Sequence, residues 1–135
     1  MAIQLSVAAR NARLDAIETA AGTSAVLKIR TGAVPATCAA ADTGTVIGTV
    51  NLPSDYMSVA AAGAKAKTGT WQETSADNAG TAAHFRLYAS DGTTCHIQGT
   101  VTATGGGGDL TLDDVTVEAG QQITISGFTL TDGNA

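Results

Sequence analysis

Beyond Gly22 no stretch of this chain sustains a helical period; the large apolar residues come instead in short alternating runs separated by turn residues. A chain patterned in this way buries itself as packed strands, because alternation sends every second side chain to one face of a sheet. Val26-Leu27-Lys28-Ile29-Arg30 reads as a first strand with Leu27 and Ile29 inward, ended by Thr31-Gly32. Residues 33–43, with Pro35 and many alanines, read as a connection. Thr45 to Leu52 alternates through Val46, Gly48, Val50 and Leu52 and stops at Pro53. Weak extended structure is expected over residues 60–67, a strand around Trp71 over 68–74, and a turn over 75–80. Later strands are expected around Leu110 and Leu112, Val115 and Val117, and over residues 121–131, where Gly127 signals a bulge or bend. Gly105 to Gly108 is the one low-complexity stretch and reads as a loop tip.

The segment before Gly22 has a different period. Ser6 is placed to cap a helix over residues 7–21, and Gly22 to stop it. Val7, Leu14, Ile17 and Ala21 form one narrow apolar stripe, wide enough for a single partner surface, either in the same domain or on a neighbouring subunit. The expected architecture is therefore mainly β, a β-sandwich or jelly-roll-like domain with one N-terminal α-helix. Residues 1–135 read as a single domain, with 1–22 helical and 23–135 the sandwich.

The hairpin over residues 81–101 is the clearest element. Phe85 and Leu87 are expected on one face, with Cys95 and Ile97 facing the same way. A three-residue Ser90-Asp91-Gly92 loop satisfies this by pairing Leu87 with Cys95 and Phe85 with Ile97, and it gives Gly92 the positive φ. In that register His96 lies opposite Arg86 and His84 opposite Gln98. His84, Arg86, Tyr88, Thr94, His96 and Gln98 then make one polar face, open to solvent or to a subunit contact.

Chemistry is thinly supplied. His84 and His96 are the only histidines, and neither falls in a nucleophile-base-orienter pattern. Asp109, Asp113, Asp114 and Glu118 are an acidic cluster without the spacing of a calcium loop. The glycine run leads into Asp109 and a strand, which does not suit phosphate binding. Cys38 and Cys95 lie in no Cys-x-x-Cys pair and read as two small buried apolar side chains, or else as a single bridge. The expectation is no enzyme, no cofactor and no metal. With a formal charge of −5 and seven scattered Lys and Arg residues, neither nucleic acid nor a membrane is an expected partner. The first residues lack a basic start followed by an apolar run, so no signal peptide is expected. Aromatics make up 4% of the chain, so the core candidates are few and association would add burial.

Several blocks carry a resemblance. They are Ala8-Ala9-Arg10-Asn11-Ala12-Arg13-Leu14-Asp15, then Leu27-Lys28-Ile29-Arg30-Thr31-Gly32, then the run from Ala40-Ala41-Asp42-Thr43-Gly44 through Asn51-Leu52-Pro53. Pro35-Ala36, Gly80-Thr81-Ala82-Ala83-His84-Phe85-Arg86-Leu87 with Ser90-Asp91-Gly92, and Ala119-Gly120-Gln121-Gln122-Ile123-Thr124-Ile125 with Phe128-Thr129-Leu130-Thr131 complete the set. Together these resemble small virion structural proteins of tailed bacteriophages, the capsid decoration or cement type. His84 departs from that pattern, standing where an apolar or aromatic residue is expected. The resemblance implies a protein made in the bacterial cytoplasm and seated on the outer capsid surface as a dimer or trimer. There it would bridge subunits of the major capsid protein. Neck, tail or baseplate membership is the alternative, and a glycan-binding adhesin module a further one. The interface candidates it brings forward are Val7, Arg10, Arg13, Leu14 and Ile17 on the helix, with His84, Arg86, Tyr88, His96 and Gln98 on the hairpin.

Overall fold

A computed structural model describes residues 3–133. The helix α1 spans Val7–Ala21, with the Ser6 hydroxyl accepting from the Ala9 N–H at 3.2 Å and the Gly22 N–H donating to Glu18 O at 2.9 Å. Both ends fall where the capping residues put them. Ten strands follow among the described residues: β1 Val26–Arg30, β2 Val46–Asn51, β3 Ala64–Ala66, β4 Gln72–Glu73, β5 Gly80–Thr81, β6 His84–Tyr88, β7 Cys95–Ala103, β8 Leu110–Leu112, β9 Thr116–Val117 and β10 Ile123–Thr131. The fold is predominantly β with one N-terminal helix.

The main sheet runs β2-β1-β6-β7-β8-β10-β3, with β4 also on β10, while β5 and β9 form a separate pair. The path curls into a half-barrel-like mixed sheet. Its β2 end is drawn toward β4 and the turn after it, where the Thr49 N–H donates to the Glu73 carboxylate at 3.2 Å and the Asp77 N–H to Ile47 O at 2.9 Å. Those bonds cap the β2 edge, which would otherwise present unpaired backbone groups.

The glycine run is explained by the one parallel pair. β7 and β8 run parallel, Val101 beside Leu110, although only the short 104–109 segment connects them. Parallel neighbours normally need a crossover of about a dozen residues or more. Here the chain doubles back on itself. Gly107 takes φ +82°, and a Cβ on Gly108 would sit 2.9 Å from the Thr102 backbone nitrogen. The expected loop is present, but it is a folded-back reversal pressed on Thr102.

The hairpin register differs from expectation. Leu87 pairs with Ile97, Arg86 with Gln98, Phe85 with Gly99 and His84 with Thr100, and a shift follows between Leu87 and Tyr88, which pairs with Cys95. His96 is the extra residue of this bulge, so Cys95 joins the face of Tyr88 and not that of Phe85. The turn itself is tied by Asp91, whose carboxylate accepts from the Thr93 and Thr94 N–H groups at 2.8 Å and from the Thr94 hydroxyl. Those donors hold the Asp91 carboxyl well below the usual carboxylate range. Gly92 has the positive φ foreseen for it, +69°. The Phe85 ring packs against Gly99, where a Cβ would lie 2.9 Å from Cε1, so a glycine opposite the ring is a steric requirement.

Elsewhere the alternation slips by single residues. A shift between Ile29 and Arg30 turns Ile47 inward, fully buried, while Val46 is only half-buried. The bulge anticipated at Gly127 occurs between Ile125 and Gly127. Around Trp71 only Gln72–Glu73 is strand, because the indole is tied to turn carbonyls: its N–H donates to Tyr56 O at 3.2 Å and Thr68 O at 3.1 Å. One contiguous core gathers Leu27, Ile29, Ile47, Phe85, Leu87, Leu110, Leu112, Ile123 and Ile125 about Trp71. The few aromatics meet in a chain: Tyr56 to Trp71 at 6.1 Å, Trp71 to Phe128 at 5.6 Å, and Phe128 edge-on to Phe85 at 5.5 Å.

The helix packs on its own domain. Leu14 and Ala21 are buried, Ile17 is half-buried and Val7 is 48% exposed, so the stripe is shorter than its sequence suggests. Polar bonds do much of the seating. The Asn11 side chain accepts from the Gly63 N–H at 2.9 Å, and Asp15 accepts from the Ala60 N–H at 3.1 Å. Lys65, 2% exposed, donates to Asp15 and Glu18, each at 2.7 Å, and to Ser58 O at 2.7 Å.

Candidate functional site

The outer face of β1, β6 and β7 is where the polar residues of the sheet converge. Alternation puts Lys28 and Arg30 on this face of β1, and His84, Arg86 and Tyr88 on this face of β6, opposite the apolar set. Gln98 joins them from β7. The expectation of an open polar face is corrected here. His84, Arg86 and Tyr88 are 0%, 2% and 0% exposed, and Arg30 is also buried. What covers them is the chain's own segment 32–43.

That segment has no regular structure of its own, and its carbonyl groups are taken by the sheet's side chains. His84 Nδ1 lies 2.8 Å from Gly32 O, and the Gln98 amide donates to Pro35 O at 2.6 Å. Arg86 Nη2 donates to Thr37 O at 2.9 Å and to Cys38 O and Ala40 O at 3.1 Å. Its Nε donates to Gln98 Oε1 at 3.0 Å. A buried carbonyl left without a donor costs about 1–3 kcal/mol, so this matching is what lets a strandless segment lie flat on a sheet.

Asp42 closes the arrangement. Its carboxylate accepts from Arg86 Nη1, from the Tyr88 hydroxyl at 2.7 Å and from Arg30 Nη2 at 2.9 Å. Partial burial pushes the Asp42 carboxyl upward, but the Tyr88 and Arg86 bonds and the Arg30 charge outweigh it, and the net direction is down. Burial and the bond to Asp42 push the Tyr88 hydroxyl up. Lys28 leans the other way, donating to Gly92 O at 3.0 Å with its ammonium 5.1 Å from the Tyr88 ring centre.

His84, like Arg30 at Nε, keeps a buried nitrogen without a partner. Donating from Nδ1 to Gly32 O leaves Nε2 as a bare acceptor, and Nε2 is buried without a partner. Burial lowers its pKa below the usual 6.5; the Gly32 bond and Asp42 oppose this, and the Arg30 and Arg86 charges reinforce it. The unfolded chain therefore takes up the proton first as pH falls. The stability contributed by neutral His84 is fully present above about pH 6.5 and is lost as pH falls from there through the lower folded value. Urea midpoints measured between about pH 7.5 and about pH 5 should fall with acidification. His84→Gln, which keeps a donor for Gly32 O, should flatten that slope; an unchanged slope would remove His84 as its source.

The remaining interface candidates are placed as follows. Leu14 is buried in the chain's own core, and Gln98 is held by Arg86 and Pro35. Arg10 donates to Asp132 O at 3.1 Å, and Arg13, 57% exposed, pairs with Asp132 at 3.1 Å. His96, the bulged residue, is half-buried. Ile17 lines a shallow groove with Arg13 and Thr131. The largest exposed apolar side chains among the described residues are Ile3 and Val59, each 82% exposed, with Val7 third. Val59 borders an open cleft of about 430 Å³ between α1 and the 54–59 segment, with Lys65 and its two carboxylates in the wall.

The acidic residues near the glycine run do not converge. Asp109 accepts from the Thr100 N–H and hydroxyl at 2.9 Å, Asp113 from the Asp114 and Thr124 N–H groups, and Asp114 from the Thr116 N–H. Among the described residues no three His, Cys, Asp or Glu side chains come together as a metal cluster would. Sequence reasoning named most of the latch on the sheet side but missed Asp42, Arg30 and the segment they hold. The available signal was that Arg30, His84, Arg86 and Tyr88 sit at alternate positions in strands whose other face is wholly apolar.

No family model matches this chain, and neither a curated protein nor a solved structure is detectably similar to it.

Proposed function

We propose that this chain is a jelly-roll-like decoration protein of a tailed-bacteriophage head, which binds the outside of the assembled shell and stabilises it by bridging major capsid subunits. The observation that carries the reading is how the chain spends its polar residues. The side chains suited to chemistry, His84, Arg86, Tyr88 and Asp42, are consumed in latching one segment to the sheet. Meanwhile Ile3, Val7 and Val59 stay in solvent beside a helix fixed by polar bonds. A body with its polar groups paired internally and a few exposed apolar contacts suits adhesion. The sequence blocks that resemble virion proteins point the same way. Bridging would work by mass action, since dissociating the shell would first require breaking the added contacts.

Heads assembled without this chain, mixed with the purified protein and sedimented, should take up many copies spread over the surface and resist heating better. Val59→Asp and Val7→Asp should weaken uptake without changing the unfolding midpoint of the isolated chain, because both side chains lie outside its core. Failure to bind heads would end the proposal. A few copies confined to one vertex would favour the neck or tail reading.

A further inference from the structure

The bulge at His96 has a chemical consequence on the latched face. By shifting Cys95 onto the side of Tyr88, it brings that thiol under the segment that carries Cys38. Arg86 fixes this segment from below through Cys38 O itself, at 3.1 Å, and through its neighbours Thr37 and Ala40. Cys38, whose carbonyl accepts from Arg86, and Cys95, which pairs with Tyr88, therefore lie over the same Arg86–Tyr88 part of the sheet face, and both thiols are free and half-buried. Cys95 Sγ lies 3.4 Å from Ile97 O. Neither thiol is one of the deeply buried apolar side chains expected from sequence.

We propose that Cys38 and Cys95 are a disulfide-forming pair, a covalent catch that locks segment 32–43 onto the sheet under oxidising conditions. The inference does not depend on the decoration reading. With a small-molecule disulfide as oxidant the chemistry is a double exchange. One protein thiolate attacks the small disulfide, forming a mixed disulfide and releasing one small thiol. The second protein thiolate then attacks the protein sulfur of that intermediate, forming the Cys38–Cys95 bond and releasing the other small thiol. The two protein protons end on the released thiols, and the small disulfide is the species reduced. Burial and the adjacent Cys38 push the Cys95 thiol up to about 12, so its thiolate is scarce and the catch should close slowly near neutral pH. The hydrogen-bonded latch already holds the segment in the reduced chain. The bond adds a tie that survives when those hydrogen bonds open.

The test uses the intact protein equilibrated in reduced and oxidised glutathione mixtures, followed by acid quench, alkylation and peptide mass mapping. The expected result is a Cys38–Cys95 linked peptide in a chain that still migrates as a monomer without reductant. Its thermal midpoint should rise by about 5–15 °C over the reduced form, as expected for cross-linking residues so far apart in sequence in a domain of this size. Cys38→Ser and Cys95→Ser should each abolish the oxidant-dependent rise. Thiols that stay free in oxidised glutathione would overturn the proposal, as would glutathione adducts that never resolve. Bonds formed only between chains, or an internal bond that leaves the midpoint unmoved, would overturn it equally.

Discussion

Arg86→Ala is expected to lower the unfolding free energy by about 3 kcal/mol, at the lower end of the range for breaking a buried ion pair. The lower end applies because the Asp42 side chain is 38% exposed and can recover water once Arg86 is gone. The larger part of the loss comes from Thr37, Cys38 and Ala40, whose carbonyls would lose their shared donor. A domain of ordinary stability has roughly 5–15 kcal/mol in hand, so the variant should still fold but unfold at clearly lower urea. Arg86→Lys should recover only part of the loss, since one ammonium cannot reach Gln98, Asp42 and three carbonyls as the planar fork does. Limited proteolysis gives the local signature: segment 32–43 should become the first site of cleavage while Trp71 fluorescence still reports a buried indole. An unshifted urea midpoint would show that the latch contributes nothing to stability.

Trp71→Ala should be at least as damaging, at about 3–5 kcal/mol. The indole is fully buried, contacts Tyr56 and Phe128, and supplies the one N–H that reaches both Tyr56 O and Thr68 O. In a chain with so few aromatics, no neighbouring large ring is free to collapse into the space. Trp71→Phe separates the two contributions. It keeps a ring against Phe128 but removes the indole donor from Thr68 O, while Tyr56 O keeps the Thr68 N–H at 2.9 Å, and should cost about 1–3 kcal/mol. Both variants lack the fluorophore, so the measurement is calorimetry or far-ultraviolet circular dichroism during urea titration. A Trp71→Phe variant as unstable as Trp71→Ala would assign the whole effect to the indole N–H.

Elements whose signals are local were legible. Ser6 and Gly22 bound the helix, the Leu27 and Ile29 alternation sets the inward face of β1, and Gly127 marks the bulge in β10. The hairpin was legible as a hairpin but not in register. Its expected pairing assumed that Cys95 belonged with Ile97, and a one-residue bulge at His96 overturns that assumption without leaving any mark in residue type. Of the polar face, the residues were legible and their exposure was not. Arg86 and Tyr88 in a strand look the same whether they meet water or the carbonyls of a distant segment.

The sequence by itself settled the helix with its two ends and the inward face of β1, because capping and alternation act between residues a few positions apart. Only the tertiary structure decided that segment 32–43 folds over the sheet, that Asp42 meets two arginines, and that Cys38 and Cys95 come to the same face. The physical reason is that the segment is recognised through its backbone carbonyls. Every residue carries one, so apart from Asp42 no choice of side chain in that stretch announces the binding; it appears only when the donors of three strands are brought beneath it.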